Sequence, residues 1–169
     1  MKALFIGRFQ PFHKGHLQII KSASKRYDEI IIGIGSSQYA DTKLNPFTSE
    51  ERKLMIEKSL ENIDVKNYRI ELVPDIHNYP QWVPYITSFI SDFDVVITNN
   101  SLTKRLFSEK GYEVKETSAY NRSKYSGKEI RRRMLNDEAW EDLVPEPVSK
   151  IIKDIAGVQR IKNSAKNDN

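Results

Sequence analysis

The stretch that decides the fold is residues 2–16, which read KALFIGRFQPFHKGH. Its first residues are mostly apolar and predict a buried β-strand, and from His16 onward the apolar spacing predicts a helix. Gly7 marks the loop between them, because glycine lets the backbone turn and lets a ligand approach closely. A strand that passes through a loop into a helix is the repeating unit of α/β folds.

The same unit recurs along the chain. Apolar runs rich in β-branched residues predict strands at 2–6, 29–34, 68–73, 93–98 and 112–116. Helices are predicted at 16–25, 49–60, 81–90, 102–110, 126–135 and 145–156. This alternation predicts an α/β fold, a doubly wound Rossmann-like parallel sheet of about five strands with helices at the C-terminal end. Ligands bind such sheets beyond the carboxyl ends of the strands.

Several helix ends carry their own signals. The capping-box spacing occurs at 48–51 and at 126–129, and Gly111 stands where a C-terminal cap is expected.

No linker or repeat interrupts the pattern, so a single domain is predicted over 1–162. The last residues, 163–169, are polar and predict a disordered tail.

Composition excludes several classes of protein. The chain of 169 residues has no Cys, which excludes a disulfide scaffold, a thiolate zinc site and cysteine catalysis. No apolar run approaches the roughly 18 residues of a membrane span, and the N-terminus lacks the pattern of a signal peptide. The expectation is therefore a cytoplasmic domain that contacts no membrane.

The basic charge is concentrated in one block. The net charge is +4, yet residues 121–134 contain six Lys and Arg against one Glu. Nucleic-acid-binding proteins usually spread positive charge over a face, so this block indicates a small polyphosphate ligand and no nucleic acid. The plain alternative is a solvated helix face.

Two of the three histidines lie in the loop after the first strand. His13 and His16 are three residues apart at a helix start, so both rings can face one side. Helix N-terminal N–H groups attract anions, and Arg8 and Lys14 add positive charge, which together predict a phosphate site. A zinc site would need a third ligand in addition to the two histidines. The loop also lacks the Walker A pattern and the Gly-x-Gly-x-x-Gly pattern of other nucleotide-binding loops.

The loop also resembles a known signature. Residues 7–16, GRFQPFHKGH, resemble the (H/T)xGH motif of the nucleotidyltransferase superfamily and, in this long form, the archaeal-type nicotinamide mononucleotide (NMN) adenylyltransferases. The resemblance continues at 33–38, 45–48, 82–83, 98–100, 125–134 and 157–161, which is almost the whole chain. The long first motif together with the late SGKEIRRRM block makes the resemblance specific.

The resemblance implies a nucleotidyltransferase-type sheet and a reaction. The 5′-phosphate of NMN attacks the α-phosphorus of ATP in line and without a covalent intermediate, giving NAD and pyrophosphate. It implies Mg²⁺ held mainly by the ATP phosphates with no protein ligand, and a homo-oligomer, a hexamer in this family. The implied catalytic residues are His13, His16 and Arg131. The implied ATP and phosphate contacts are Gly7, Arg8, Phe9, Lys14, Gly15, Asn99, Asn100, Ser126, Gly127 and Lys128. The implied nicotinamide contacts are Gly35, Ser36, Asp75, Asn78, Tyr79 and Trp82.

Some positions depart from the family pattern or stay open. The family usually has Thr where this chain has Lys128, and Asn where it has Tyr79. Trp82 either stacks on the cationic pyridinium ring or packs in the core. Phe47 and Arg52 are candidate lid or ATP contacts, whereas Arg132 and Arg133 suit either structural or subunit contacts.

Two other functions are alternatives. The enzyme could instead transfer an adenylyl or cytidylyl group to another phosphate acceptor. That acceptor could be nicotinate mononucleotide, phosphopantetheine or a phosphosugar. A protein that binds nucleotide without catalysis is the alternative from another class, and pyrophosphate release separates it from an enzyme.

Overall fold

The sheet follows from five buried runs of sequence. The computed structural model describes residues 1–118 and 121–167. Its strands are β1 (Lys2–Gly7), β2 (Glu29–Gly35), β3 (Tyr68–Val73), β4 (Val95–Ile97) and β5 (Glu113–Lys115). All neighbouring strands pair in parallel, in the order β3-β2-β1-β4-β5. The α/β fold with a doubly wound, Rossmann-like parallel sheet is therefore confirmed.

Helices connect the strands and follow the last one. They are α1 (Lys14–Ser24), α2 (Ser49–Asn62), α3 (Tyr79–Thr87), α4 (Ser101–Glu109), α5 (Gly127–Leu135), α6 (Glu146–Asp154) and α7 (Gly157–Asn167), with a 3₁₀ turn at Glu141–Leu143. None of the helices in the described residues is both long and apolar enough to cross a membrane.

Side chains alternate between two cores, one on each face of the sheet. In β1, Ala3 and Phe5 pack in the larger core with apolar residues of α1, α2, α5, α6 and α7. Leu4 points the other way, into a smaller core with α3 and α4. Strands covered on both faces are apolar throughout, which is why these runs are nearly continuous in the sequence.

Local capping explains where several helices begin. Thr48 and Glu51 form the complete predicted box, each side chain bonding the other's backbone N–H. Ser126 caps α5, but the carboxylate of Glu129 binds Arg132 and Arg133 instead of reaching back. Gly111 follows α4 with a φ of 86°, a conformation that glycine adopts freely.

The C-terminal end differs from the sequence prediction. Helix α6 ends at Asp154, and α7 begins at Gly157, the residue predicted only to stop a helix. A Cβ at Gly157 would lie 2.8 Å from the Ile152 side chain, so glycine permits the close packing at this turn. Residues 163–167 of the predicted disordered tail belong to α7. The buried Ser164 donates a hydrogen bond to the Asp41 carbonyl, and this contact holds the end of the helix against the protein.

Candidate active site

The strand order places the site between β1 and β4. These strands are neighbours, and the crossovers that leave them run to opposite sides of the sheet. A crevice forms at such a switch point beyond the carboxyl ends of the strands. The loop of residues 8–13 follows β1, and residues 98–100 follow β4, so the predicted histidine loop borders this crevice.

The two histidines are locked together at the start of α1. His13 is the N-cap, and its Nδ1 accepts hydrogen bonds from the backbone N–H groups of Gly15 (3.0 Å) and His16 (3.3 Å). The Nδ1 of His16 accepts from the His13 N–H at 3.2 Å, and the rings stack with centroids 3.5 Å apart. Because both Nδ1 atoms are acceptors, this bonding assigns the ring proton to Nε2 in each residue.

Burial keeps both rings neutral. It lowers the pKa of His13 from 6.5 to about 3. Burial also lowers the pKa of His16 well below its ordinary value, and the adjacent His13 adds to that effect. At neutral pH each ring is therefore an uncharged Nε2–H donor, and a hydrogen-bond donor held in place is suited to negative charge that develops during a reaction.

Aromatic rings hold His16 from behind. Phe9 meets the His16 ring edge-on at 4.8 Å, and Phe12 stacks on it at 5.6 Å. The Phe9 residue is only 1% exposed, so its ring supports His16, and the phosphate contact predicted for this residue is not one that the ring can make. Gly15 permits the tight packing, since a Cβ there would lie 2.9 Å from Cε1 of His13.

A cavity of about 360 Å³, here called the histidine cavity, opens over the two rings. The predicted residues that line it are Gly7, Arg8, His13, Gly15, His16, Asn99, Asn100, Ser126 and Gly127. Lys14 is not among its lining residues. Arg122 of the basic block and Tyr125 of the resembling segment also line it, as do Ile19 and Thr117, which sequence reasoning missed.

Three polar residues of this wall are held by local hydrogen bonds. The Asn99 amide exchanges two bonds of 2.9 Å with Thr117 and so joins the ends of β4 and β5. Asn100 accepts from the Thr103 N–H at 2.9 Å and caps α4. Ser126 accepts from the Glu129 N–H at 3.1 Å. These side chains shape the loops as well as line the cavity.

A second, basic cavity of about 780 Å³ lies beside Arg8, and we call it the arginine cavity. Its charged lining residues are Arg8, Lys43, Lys128, Arg131 and Arg132. Arg131 is only 8% exposed and donates to the Gln10 carbonyl at 2.7 Å. Burial, with a smaller effect of Arg8, lowers the pKa of Arg131 to about 10, so it remains charged at neutral pH.

The two following arginines make ion pairs within the chain. Arg132 binds the carboxylates of Glu129 and Glu138, each at 2.7 Å. Arg133 lies 3.3 Å from Glu129 and donates to the Ala139 carbonyl. These contacts partly neutralise the charge of both arginines and give both a structural role.

The third cavity, about 300 Å³, contains the residues predicted for nicotinamide and is called the tryptophan cavity. All six predicted residues line it, namely Gly35, Ser36, Asp75, Asn78, Tyr79 and Trp82. Trp82 also packs edge-on against Phe107 at 5.6 Å, so one ring serves both the core and the cavity. Asn78 accepts from the Gln81 N–H and caps α3. Leu102, Thr103 and Leu106 complete the wall and were missed, although they form one face of α4.

Phe47 and Arg52 correct two predictions. Both side chains are 0% exposed, so neither can be a lid or touch ATP. Arg52 donates only to backbone carbonyls, among them those of Arg8 and Gly35.

The cavities meet. Ile6, Gly7, Arg8 and Asn100 line both the histidine and the tryptophan cavities, and Arg8 lines the arginine cavity too. This arrangement suits two ligands that share a phosphate region near Arg8, with an aromatic-walled pocket for one of them.

Comparison with known proteins agrees with this geometry. Residues 4–133 match the family model described as cytidylyltransferase-like, and the chain belongs to that family of nucleotidyltransferases. Within it, the chain is 51% identical over 99% of its length, and 98% of the relative's, to the nicotinamide-nucleotide adenylyltransferase of Methanococcus maripaludis strain C6. It is 47% identical, over 99% of both chains, to the protein of that name from Archaeoglobus fulgidus. The resemblance to the archaeal-type enzymes is thereby confirmed.

A solved structure shares the fold. A bifunctional NMN adenylyltransferase/ADP ribose pyrophosphatase from Francisella tularensis, complexed with AMP and a manganese ion, superimposes with a TM-score of 0.75 at 26% identity. The match covers 99% of this chain and 52% of that one, so the chain spans about half of the bifunctional protein.

Proposed function

We propose that the chain transfers the adenylyl group of ATP to nicotinamide mononucleotide, giving NAD and pyrophosphate. The observation that carries this is the junction of the histidine and tryptophan cavities at Gly7 and Arg8. Relatives that match the chain end to end bear the name of this activity, which supports it.

The reaction needs positioning and charge stabilisation. A 5′-phosphate oxygen of NMN attacks the α-phosphorus, a new P–O bond forms, and the bond to the β-phosphate oxygen breaks, so that pyrophosphate leaves. The Nε2–H groups of His13 and His16 would donate to phosphate oxygens as charge moves toward the leaving group. Arg131 and Arg8 would hold the polyphosphate, since guanidinium groups bind phosphate oxygens in pairs, and Lys128 would attract it as a point charge. No step requires a covalent nucleophile.

The tryptophan cavity would hold the nicotinamide end. Trp82 offers an aromatic face to the cationic pyridinium ring. Asp75 places a carboxylate on the same wall, where it would accept from the carboxamide N–H₂ and repel the carboxylate of nicotinate. The amide substrate is favoured for that reason.

A divalent ion would enter with ATP, and we propose Mg²⁺. Among the described residues, no three His, Asp or Glu side chains lie close enough together to hold a metal. The lining of the arginine cavity is basic. Such a site fits an ion held by phosphate oxygens and water, which is how Mg²⁺ commonly binds at nucleotide sites. The ion would neutralise phosphate charge.

Two further proposals concern assembly and location, and only the first comes from the family resemblance. A hexamer is expected, and light scattering coupled to gel filtration would measure its mass. The cytoplasmic location stays a prediction.

The first experiment is pyrophosphate release from ATP and Mg²⁺ with NMN, nicotinate mononucleotide or phosphopantetheine as the acceptor. Release with NMN and formation of NAD support the proposal. Release only with another acceptor would agree with the role given to the two histidines but would refute the role given to Asp75 and Trp82. A nucleotide-binding protein without catalysis would bind ATP and release no pyrophosphate.

A matched variant tests the histidines. His16→Asn keeps an acceptor for the His13 N–H but loses the Nε2–H donor, so turnover should fall by about 10²–10³-fold. Unchanged turnover in folded His16→Asn would remove His16 from the mechanism.

A further inference from the structure

Arg52 is a fully buried cation beneath the active site. It donates five hydrogen bonds to the carbonyls of Thr48 (3.1 Å), Arg8 (2.9 Å), Gly35 (2.9 Å), Ser36 (3.3 Å) and Tyr39 (3.3 Å). Within residues 1–118 and 121–167 no carboxylate lies within ion-pair distance of it, and the neighbouring Glu51 pairs with Arg160. All five of its hydrogen bonds therefore go to backbone carbonyls, and Glu51 favours the cation only from beyond ion-pair distance.

Two of these carbonyls stand at unusual turns. The Arg8 carbonyl precedes Phe9, whose φ is 54°, and the Gly35 carbonyl precedes Ser36, whose φ is 47°. Residues other than glycine avoid this left-handed region and keep it only where the surroundings hold them there. One Arg52 atom, Nη1, donates to both carbonyls at 2.9 Å and so ties the two turns together.

These turns end β1 and β2 and carry cavity residues. Arg8 lines all three cavities, whereas Gly35 and Ser36 line the tryptophan cavity. We propose that Arg52 is a positioning residue for the transfer reaction, which sets the two substrate cavities relative to each other by clamping the turns after β1 and β2. The inference rests on the proposed function, but Arg52 itself touches no substrate.

A Lys substitution separates positioning from charge. Arg52→Lys keeps a cation but has at most three donors from one nitrogen, so it cannot span five carbonyls. Misplacement of reacting groups by about 1 Å can cost about 10²-fold in rate. We therefore expect kcat/KM to fall by about 10²-fold, with the KM values for ATP and NMN both raised.

The matched control lies at the other end of the sheet. The Asn67 side-chain amide donates to the carbonyls of Ser24 and Tyr27, both at 3.0 Å, and so ties backbone segments far from the cavities. Asn67→Ala should lower the melting temperature and leave both KM values as in the wild type. A loss of folded protein alone reduces the apparent kcat and does not change KM, so the KM values separate the two roles.

Both variants are assayed at a temperature where circular dichroism shows them folded. Unchanged KM values in Arg52→Lys, with wild-type enzyme active, would overturn the positioning role. Inactive wild-type enzyme would instead refute the proposed function. If Arg52→Lys does not fold, Ser36→Gly is added to it, because glycine adopts the left-handed turn without support. Recovery of folded protein supports the clamp, and no recovery overturns it.

Discussion

Replacing His13 by Asn should weaken the pH dependence of stability. Burial holds the folded-state pKa of His13 at about 3, against 6.5 in the absence of structure. Below pH 6.5 the unfolded chain therefore binds a proton that the folded protein excludes, and stability declines as the pH falls toward 3. Each pKa unit corresponds to about 1.4 kcal/mol. At pH 5, His13 alone should therefore lower the free energy of unfolding by about 2 kcal/mol.

Asn is the suitable replacement because its Oδ1 can accept the N–H groups that the His13 Nδ1 accepts from Gly15 and His16. The helix cap is kept and only the titrating ring is lost. The free energy of unfolding is measured by urea titration at pH 7, 6 and 5. Between pH 7 and 5, the free energy of unfolding should fall by about 2 kcal/mol more in the wild type than in His13→Asn.

Carboxylates do not confuse the comparison. Glu129, whose pKa the Arg132 hydrogen bond lowers to about 2, titrates below this range and is present in both proteins. Equal losses in wild type and variant would show that His13 accepts a proton in the folded state near its ordinary pKa. That result would refute both the burial argument and the neutral Nε2–H donor.

Three other substitutions test the cavities. Trp82→Leu should raise the KM for NMN about tenfold through loss of the aromatic face, and the KM for ATP much less. Asp75→Asn should improve the use of nicotinate mononucleotide relative to NMN about tenfold, measured as a ratio of kcat/KM values, because a repulsive charge is lost. Gly127→Ala would place a Cβ 2.6 Å from Nη1 of Arg131. It should destabilise the protein by about 1–3 kcal/mol in thermal unfolding.

Each of these has an opposing outcome. Equal rises in both KM values for Trp82→Leu would assign that ring to the core alone. An unchanged acceptor ratio in Asp75→Asn would remove the carboxylate from specificity. An unchanged melting temperature in Gly127→Ala would show that the Arg131 contact yields readily.

Much of the site could be predicted because it depends on loops after parallel strands. Asp75 and Trp82 follow β3, Gly35 and Ser36 lie at the end of β2, and the structure brings them to one cavity. Carboxyl ends of parallel strands share one edge of a sheet, so a correct strand assignment also groups these residues. The α4 face was missed because its apolar residues resembled ordinary core positions.

Burial was harder to predict. By sequence Arg52 is a candidate lid or ATP contact, yet it is fully buried, although arginine is usually exposed. The Phe9 ring lies against His16, on the side away from the phosphate position that the sequence predicts for this residue. Which way a loop side chain points depends on contacts with residues far away in the sequence, and no local pattern encodes them.

The sequence by itself determined the alternation of strands and helices and the spacing of His13 and His16, because periodicity and capping act over a few residues. It also carried the family resemblance. The tertiary structure alone decided that β1 and β4 are neighbours, that three cavities meet at Arg8, and that Arg52 clamps two turns. These features arise from contacts between distant segments, whose geometry is set only when the whole core packs.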